Sequence, residues 1–412
     1  MKKNTILFIL LLTIISSAQT NNQLIRDGSL NIFIDCKYCD LNYYKEQLAI
    51  VNFVRDRKDA DVHILYSTQN TGSGGDEYAL FFIGQNKFEN MDDTIKFSVN
   101  QTDTEEIERD KIANGLKLGL IRYLSRTAAI EKVKISFDKP IATETKTSDD
   151  WNYWYFRTSF NSHFNGQEAS NFIYLNSSFS ANRVTDESKI NFQISNNYNE
   201  SNFNYGSTKI KSISRSQNFR AYYIGAITNH WSWGIWTRAF RSTFSNIDYS
   251  FNVSPGLEYN IFPYSMSNQK QFRIEYRVEP NYNKYLMETI YLKKNELVWS
   301  QSLEMTYAVI ETWGNIEFNL DFGNYIHDFN KYRIEFDGGF SIKILKGLSF
   351  DFRGGYSKIQ NQIALPRGGA SLEEVLLQRK ELQTQYSYWG SVGLSYSFGS
   401  IYNNVVNSRF GS

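Results

Sequence analysis

Proline, cysteine and histidine are scarce in this 412-residue chain, at five, two and four residues. The few histidines have no convincing nucleophile partner, no paired-carboxylate or metal-binding constellation stands out on which a mechanism could rest, and no enzyme activity or cofactor is expected. Charge of either sign is not in excess: the formal net charge is +1, too little for the field that nucleic-acid binding requires. Beyond residue 18 no apolar run is long enough for a membrane helix, which needs roughly twenty residues. The chain is therefore soluble, or it spans a membrane with strands, the other structure that satisfies its backbone in lipid. A mean hydropathy of −0.46 does not exclude spanning, because alternating strands hide their hydrophobicity from an average. What is abundant is aromatic: 28 Tyr and 30 Phe favour strands and interfacial girdles.

Lys2-Lys3, the apolar residues 6–15 and Ser16-Ser17-Ala18 read as a secretory signal peptide over 1–18, with cleavage after Ala18. Residues 19–139 then read as a small α+β domain. SLNIFID at 29–35 predicts a buried strand. Tyr44, Leu48, Val51 and Val54 fall at helical spacing within 41–55. Short strands are expected at 62–66, 78–83 and 94–99. A second helix follows, with Ile107, Leu116, Leu120 and Leu124 inward and Asp103, Glu105 and Glu106 at its dipole-favoured start. That element order resembles, loosely, the small domains preceding barrels or propellers in envelope proteins, such as the Tol-system propeller protein.

The two cysteines form Cys36-Lys37-Tyr38-Cys39 between the first strand and first helix. Strand, CxxC and helix in that order resemble the thioredoxin active site, yet no Trp-Cys start precedes them. A disulfide closing the turn in an oxidising compartment is expected; redox catalysis is the alternative. Two thiolates and His63 alone do not complete a zinc site. Gly72-Ser73-Gly74-Gly75 lacks the Gly-Lys-Ser/Thr ending of a phosphate loop and reads as a hairpin turn.

After a polar linker at 140–150 the pattern changes to strict alternation. Trp154, Phe156, Phe160 and Phe164 oppose Tyr155, Arg157, Ser159, Asn161 and His163, and similar segments recur to residue 398. About twelve strands are expected, an even number as in single-chain bacterial barrels. The fold class is mostly β: a twelve-stranded antiparallel transmembrane barrel over 151–398, preceded by the α+β domain and followed by an extension at 399–412. In the last segment, Ser391, Gly393, Tyr396 and Phe398 resemble the terminal signal by which outer-membrane barrels are handed to their assembly machinery. That resemblance implies outer-membrane location, lipid contact and a periplasmic N-terminal domain, with a possible periplasmic protein partner. Even-numbered connections are then expected to be periplasmic and tight, with odd-numbered ones outside and longest at 201–215, 284–296 and 359–383.

Charged residues hold the phase opposite the apolar side, which places them in the lumen or at its rim. They are Arg273, Glu275, Arg277 and Glu279 on one strand, Glu317 and Asp321 on another, Arg333, Glu335, Asp337 and Lys343 on a third, and Asp351 with Arg353 beside it. Either they fill a narrow barrel or they line a polar pore. In the 359–383 connection, Ser371 and Glu374 form a capping box after Arg367-Gly368-Gly369. A folded loop tucked over or into the mouth is expected, with Arg367 meeting Asp337 or Asp351; a surface helix packed on its own hairpin is the alternative. Its placement resembles the lumen-inserted Arg-Gly loop of barrel-assembly and two-partner-secretion proteins. Twelve-stranded barrels include an outer-membrane phospholipase with a HxSNG-type motif, but His163-Phe164-Asn165-Gly166 lacks the serine. A narrow or gated channel for small solutes is the expected function, a structural or assembly anchor the alternative, and a lipid hydrolase a remote one.

Overall fold

The structure is a computed structural model describing residues 28–36, 39–72, 74–135, 149–205, 208–368, 385–404 and 406. The signal segment, most of the linker and most of the 359–383 connection lie outside these residues. No helix among them is long and apolar enough to cross a membrane.

The N-terminal unit contains β1 (Asn31–Asp35), α1 (Leu41–Gln47), β2 (Asn52–Phe53), β3 (Val62–Asn70), β4 (Asp76–Gly84), β5 (Asp93–Val99) and α2 (Glu105–Leu124). Its five strands lie in the order β2-β1-β3-β4-β5. Leu30, Ile32, Val62, Ile64, Leu80 and Phe82 pack with Tyr44, Leu116, Leu120 and Tyr123 in one core. The N-terminus of α2 is capped by the Thr104 hydroxyl, with three glutamates in its first turn, where the helix dipole favours negative charge. Ile107 is exposed, so the inward stripe begins a turn later than the sequence spacing suggests. The first helix is also shorter than expected. It ends at Gln47, and the following chain pairs parallel with β1. Asn52 N donates to Leu30 O at 2.8 Å and Val54 N to Ile32 O at 2.9 Å. Sheet pairing of a β-branched, buried segment thus overrides the apolar spacing that suggested a longer helix.

Twelve strands follow: β6 (Trp154–Gln167), β7 (Ser170–Val184), β8 (Ser188–Tyr205), β9 (Thr208–Ala226), β10 (Trp231–Ser242), β11 (Ile247–Asn260), β12 (Lys270–Tyr285), β13 (Asn295–Glu311), β14 (Gly314–Tyr325), β15 (Asp328–Leu345), β16 (Leu348–Ile359) and β17 (Tyr386–Tyr396). Each pairs with its chain neighbours in one antiparallel meander. Among the described residues no ladder joins β6 to β17. One expected loop is largely replaced by strand: residues 201–205 and 208–215 continue β8 and β9, which reach 18 and 19 residues. The outer connections at 168–169 and 326–327 are as short as the inner ones, so length separates the two ends only at 360–385. Hairpins project outward by prolonging their strands.

The sheet is strongly curled. Flat, twelve strands at ~4.8 Å spacing would span roughly 50 Å. Yet a domain of about a hundred residues, with a radius of gyration near 13 Å, touches both ends of it. Tyr155 of β6 donates its hydroxyl to Gln101 at 2.6 Å, and the chain beyond β17 pairs beside β2 through the Val54–Tyr402 bridge. Between those extremes, Ser67 Oγ donates to Asn268 O at 2.8 Å and Arg57 donates to Thr312 O. Asp56 accepts from Gly347 N at 2.6 Å, and Asp35 and Asp59 pair with Lys343 and Lys346. The domain therefore sits as a cap over the end bearing the even-numbered turns. At the tightest of these turns, Gly347 adopts φ +73°, and a Cβ there would lie 2.0 Å from Ser397 O.

Candidate functional site

The two faces of the curled sheet differ in chemistry. Phe160, Leu257, Leu297, Trp299 and Leu394 stand on the outer face, exposed by 49 to 70 %. They belong to an apolar surface repeated on every strand, far beyond the few hundred Å² usual on soluble monomers. Ser391 and Gly393 of the expected assembly signal lie opposite Arg353 and Asp351 on the inner face. Its aromatics, Tyr396 and Phe398, are exposed outside, with stacked rings 5.5 Å apart.

The inner face divides in two. On β7 to β9 it is mostly amide and hydroxyl, with Lys189 and Arg220 as its charged members: Asn176 and Tyr174 both donate to Asn197 Oδ1, at 2.6 and 3.0 Å. On β11 to β15 it is charged, and cross-strand register aligns five carboxylates in a single transverse row. Glu258 is opposite Glu275, Glu275 opposite Glu304, Glu304 opposite Asp321, and Asp321 opposite Glu335. Like charges directly opposite repel, so neighbouring arginines bridge the row. Arg273 lies 3.0 Å from Glu304 and 3.6 Å from Glu258. Arg277 pairs with Glu275 and Arg333 with Glu335. The Arg277 guanidinium also sits 3.9 Å over the Trp236 ring, a cation–π contact that fixes its plane.

Two cavities meet at this row. The first, about 450 Å³, is lined by Glu258, Arg273, Tyr264 and the 185–188 turn, with Gln69 of the cap among its walls. The second, about 540 Å³, is lined by Glu279, Asp321, Arg333 and Asn324, with Asn361 above them. Glu275, Arg277 and Glu304 border both. The sequence-predicted residues Arg273, Glu275, Arg277, Glu279, Asp321, Arg333 and Glu335 are thus brought together. Glu317, Asp337, Asp351 and Arg353 share the face by register but make no ion pair among the described residues. Glu258 and Glu304 escaped sequence selection: each has the inward phase, but only the register places them in the row. Lys343 lies at the capped end, paired with Asp35.

At the opposite end the chain leaving β16 crosses the mouth. Gln360 N donates to Tyr332 O, Ile290 N to Leu365 O, and Arg367 N to Glu288 O, all at 2.8 Å. Asn246 Nδ2 donates to Ala364 O at 2.8 Å, and Ile363 and Leu365 are buried. This strap joins β15 to the loops before β11 and after β12. The expectation for Arg367 is corrected: its guanidinium pairs with Glu288 at 3.0 Å, not with Asp337 or Asp351. The strap's own backbone pairing holds Arg367 beside the 286–294 loop, out of the lumen. Gly368 ends the described part, and Gly369, Ser371 and Glu374 lie outside it.

In the cap, Cys36 and Cys39 are joined as a disulfide, their Cα atoms 5.8 Å apart. His63 is wholly buried, 3.2 Å from Asp35. Burial holds its imidazole below the ordinary range despite the pull of Asp35. The Asp35 carboxyl is opposed by burial, but His63 and Lys343 together hold it below the usual carboxylate range. The other histidines are scattered: His163 lies beside Phe172, His230 bonds Asn260 O, and His327 lies beside Tyr325.

No protein-family model matches the chain, and no curated protein matches it.

Proposed function

We propose that the protein is an outer-membrane β-barrel whose lumen is a narrow, gated path for small hydrophilic solutes, with its cap domain in the periplasm. What carries this is the opposition of the two faces: a continuous apolar exterior around an interior lined by charged and polar side chains and two chambers of about 450 and 540 Å³. Hydrocarbon would take the first and exclude the second. The single β6–β17 closure that a membrane requires is favoured because both edge strands turn their aromatics to the same outer side. The cap and the strap border the two chambers at opposite ends, which supports a gated state.

The same closures favour a second reading, an anchor whose cap binds a periplasmic protein. Purified protein in planar bilayers separates the two. Discrete conductance steps, together with heat-modifiable gel migration and recovery in the outer-membrane fraction, are the expected result. A folded, heat-modifiable protein without steps leaves the anchor. A heat-insensitive protein released by carbonate washing refutes the barrel.

A further inference from the structure

We propose that the outward edge of β2 is a strand-acceptor site for an extended polypeptide, and that its occupant is this chain's own C-terminal segment at 401–404, which thereby latches the cap to the barrel. The pairing of β2 alternates. Asn52 N and Val54 N face β1, donating to Leu30 O and Ile32 O. The intervening groups face away from the sheet, and the tail meets them. Arg55 N donates to Ile401 O at 2.9 Å, and Asn403 N donates to Phe53 O at 2.8 Å. Phe53 N donates to Asn404 Oδ1 at 2.7 Å. With the tail in place Phe53 and Val54 are buried, and their backbone groups have the partners that a buried edge requires.

A side-chain contact adds selectivity to this backbone pairing. Asn404 Nδ2 donates to Asn52 Oδ1 at 3.1 Å, and Asn52 Nδ2 donates in turn to Asn31 Oδ1 at 3.3 Å. Asn404 therefore reads both the Phe53 amide and the buried Asn52 side chain, as β-augmenting peptides combine main-chain bonds with one or two side-chain anchors. The tail arrives from the barrel: Ser397 N donates to Gly347 O at 2.8 Å, and Gly347 is itself held by Asp56. Cap and barrel are thus tied together at one corner by a strand that exists there only once β17 is in place. The acceptor does not depend on whether the lumen conducts.

The bonds around Val54 and Tyr402 are those of a non-hydrogen-bonded antiparallel pair, whose Cα atoms lie ~4.5 Å apart, within disulfide range. In the full chain, Val54→Cys with Tyr402→Cys is expected to crosslink under mild oxidation, seen as a mobility shift on non-reducing denaturing gels. The displaced pair Lys58→Cys with Tyr402→Cys is expected to stay unlinked. In protein ending at residue 398, exchange of the Phe53 and Arg55 amides should accelerate, and a synthetic 399–412 peptide should bind and restore protection. Asn404→Ala in that peptide is expected to weaken binding about tenfold. Equal crosslinking of both pairs, or a folded truncated protein with unchanged exchange and no peptide binding, overturns the proposal. Should the truncated protein fail to fold, the crosslinking contrast alone decides.

Discussion

Lys343→Met tests how firmly the cap is held. Lys343 pairs with Asp35, and both side chains are about a quarter exposed, at 25 and 27 %. Its ammonium also lies 4.8 Å from the Phe33 ring centroid. Methionine keeps the aliphatic stem and removes the charge. Breaking a fully buried pair from one side costs ~3–5 kcal/mol, and an exposed pair contributes ~0–1 kcal/mol. A quarter-exposed pair falls between, at about 1–2 kcal/mol, and the cation–π contact adds about 0.5 kcal/mol. About 2 kcal/mol corresponds to roughly thirtyfold in the docking equilibrium. The Gly347 amide reports docking directly, because it donates to Asp56 of the cap. Its hydrogen exchange, followed by mass spectrometry of the turn peptide, should accelerate about thirtyfold. Adding Asp35→Asn should then cost much less than it does in the wild-type background. An acceleration below about threefold, or effects additive to within ~0.5 kcal/mol, would show that the ion pair does not hold the cap.

Two further outcomes follow from the site. His63 is depressed below ~6.5 by burial, and its Nδ1 meets no partner among the described residues. The unfolded chain therefore binds more protons as pH falls below about 6.5, so cap stability is full above that value and declines beneath it. Divided by the intrinsic rate at each pH, exchange of the β4 amides should rise as pH falls from 7.5 to 5.5, and His63→Asn should flatten that rise; an unchanged slope refutes the assignment. In the carboxylate row, Glu304→Gln with Asp321→Asn should move the reversal potential in a potassium chloride gradient toward zero from the cation-selective side; no movement would exclude the row from the conduction path.

The architecture was largely legible because alternation is a local signal. Trp231 to Ser242 reads as one strand in both sequence and structure, and the aromatic phase of β17 fixes its outer face. The charged inner face of the sheet followed from the same phase rule. What the sequence did not display was anything set by register or by long-range pairing. Val51 and Val54 continue an apolar helical spacing, and only their contact with β1 makes that segment a strand and edge. Glu258 and Glu304 differ from other inward polar residues solely in standing opposite one another's neighbours. The tail offered no periodicity at all, since a strand of four residues against a partner 350 positions away leaves no mark on its own sequence.

The composition of the row bears on whether the interior is filler or path. Ionised groups retained only to fill a narrow barrel would be matched by opposite charge, because an unpaired buried charge is costly and an apolar replacement is often as stable. Here five carboxylates, Glu258, Glu275, Glu304, Asp321 and Glu335, are met by Arg273, Arg277 and Arg333, while Arg238 and Glu279 add one charge of each sign to the second chamber. Asp321 makes no ion pair among the described residues and faces a chamber of about 540 Å³. Negative charge in excess beside open volume calls for water or cations to balance it. That imbalance favours a conducting lumen over a packed anchor, and it lies where the two chambers meet, the position from which a single side chain such as Arg277 would control passage between them.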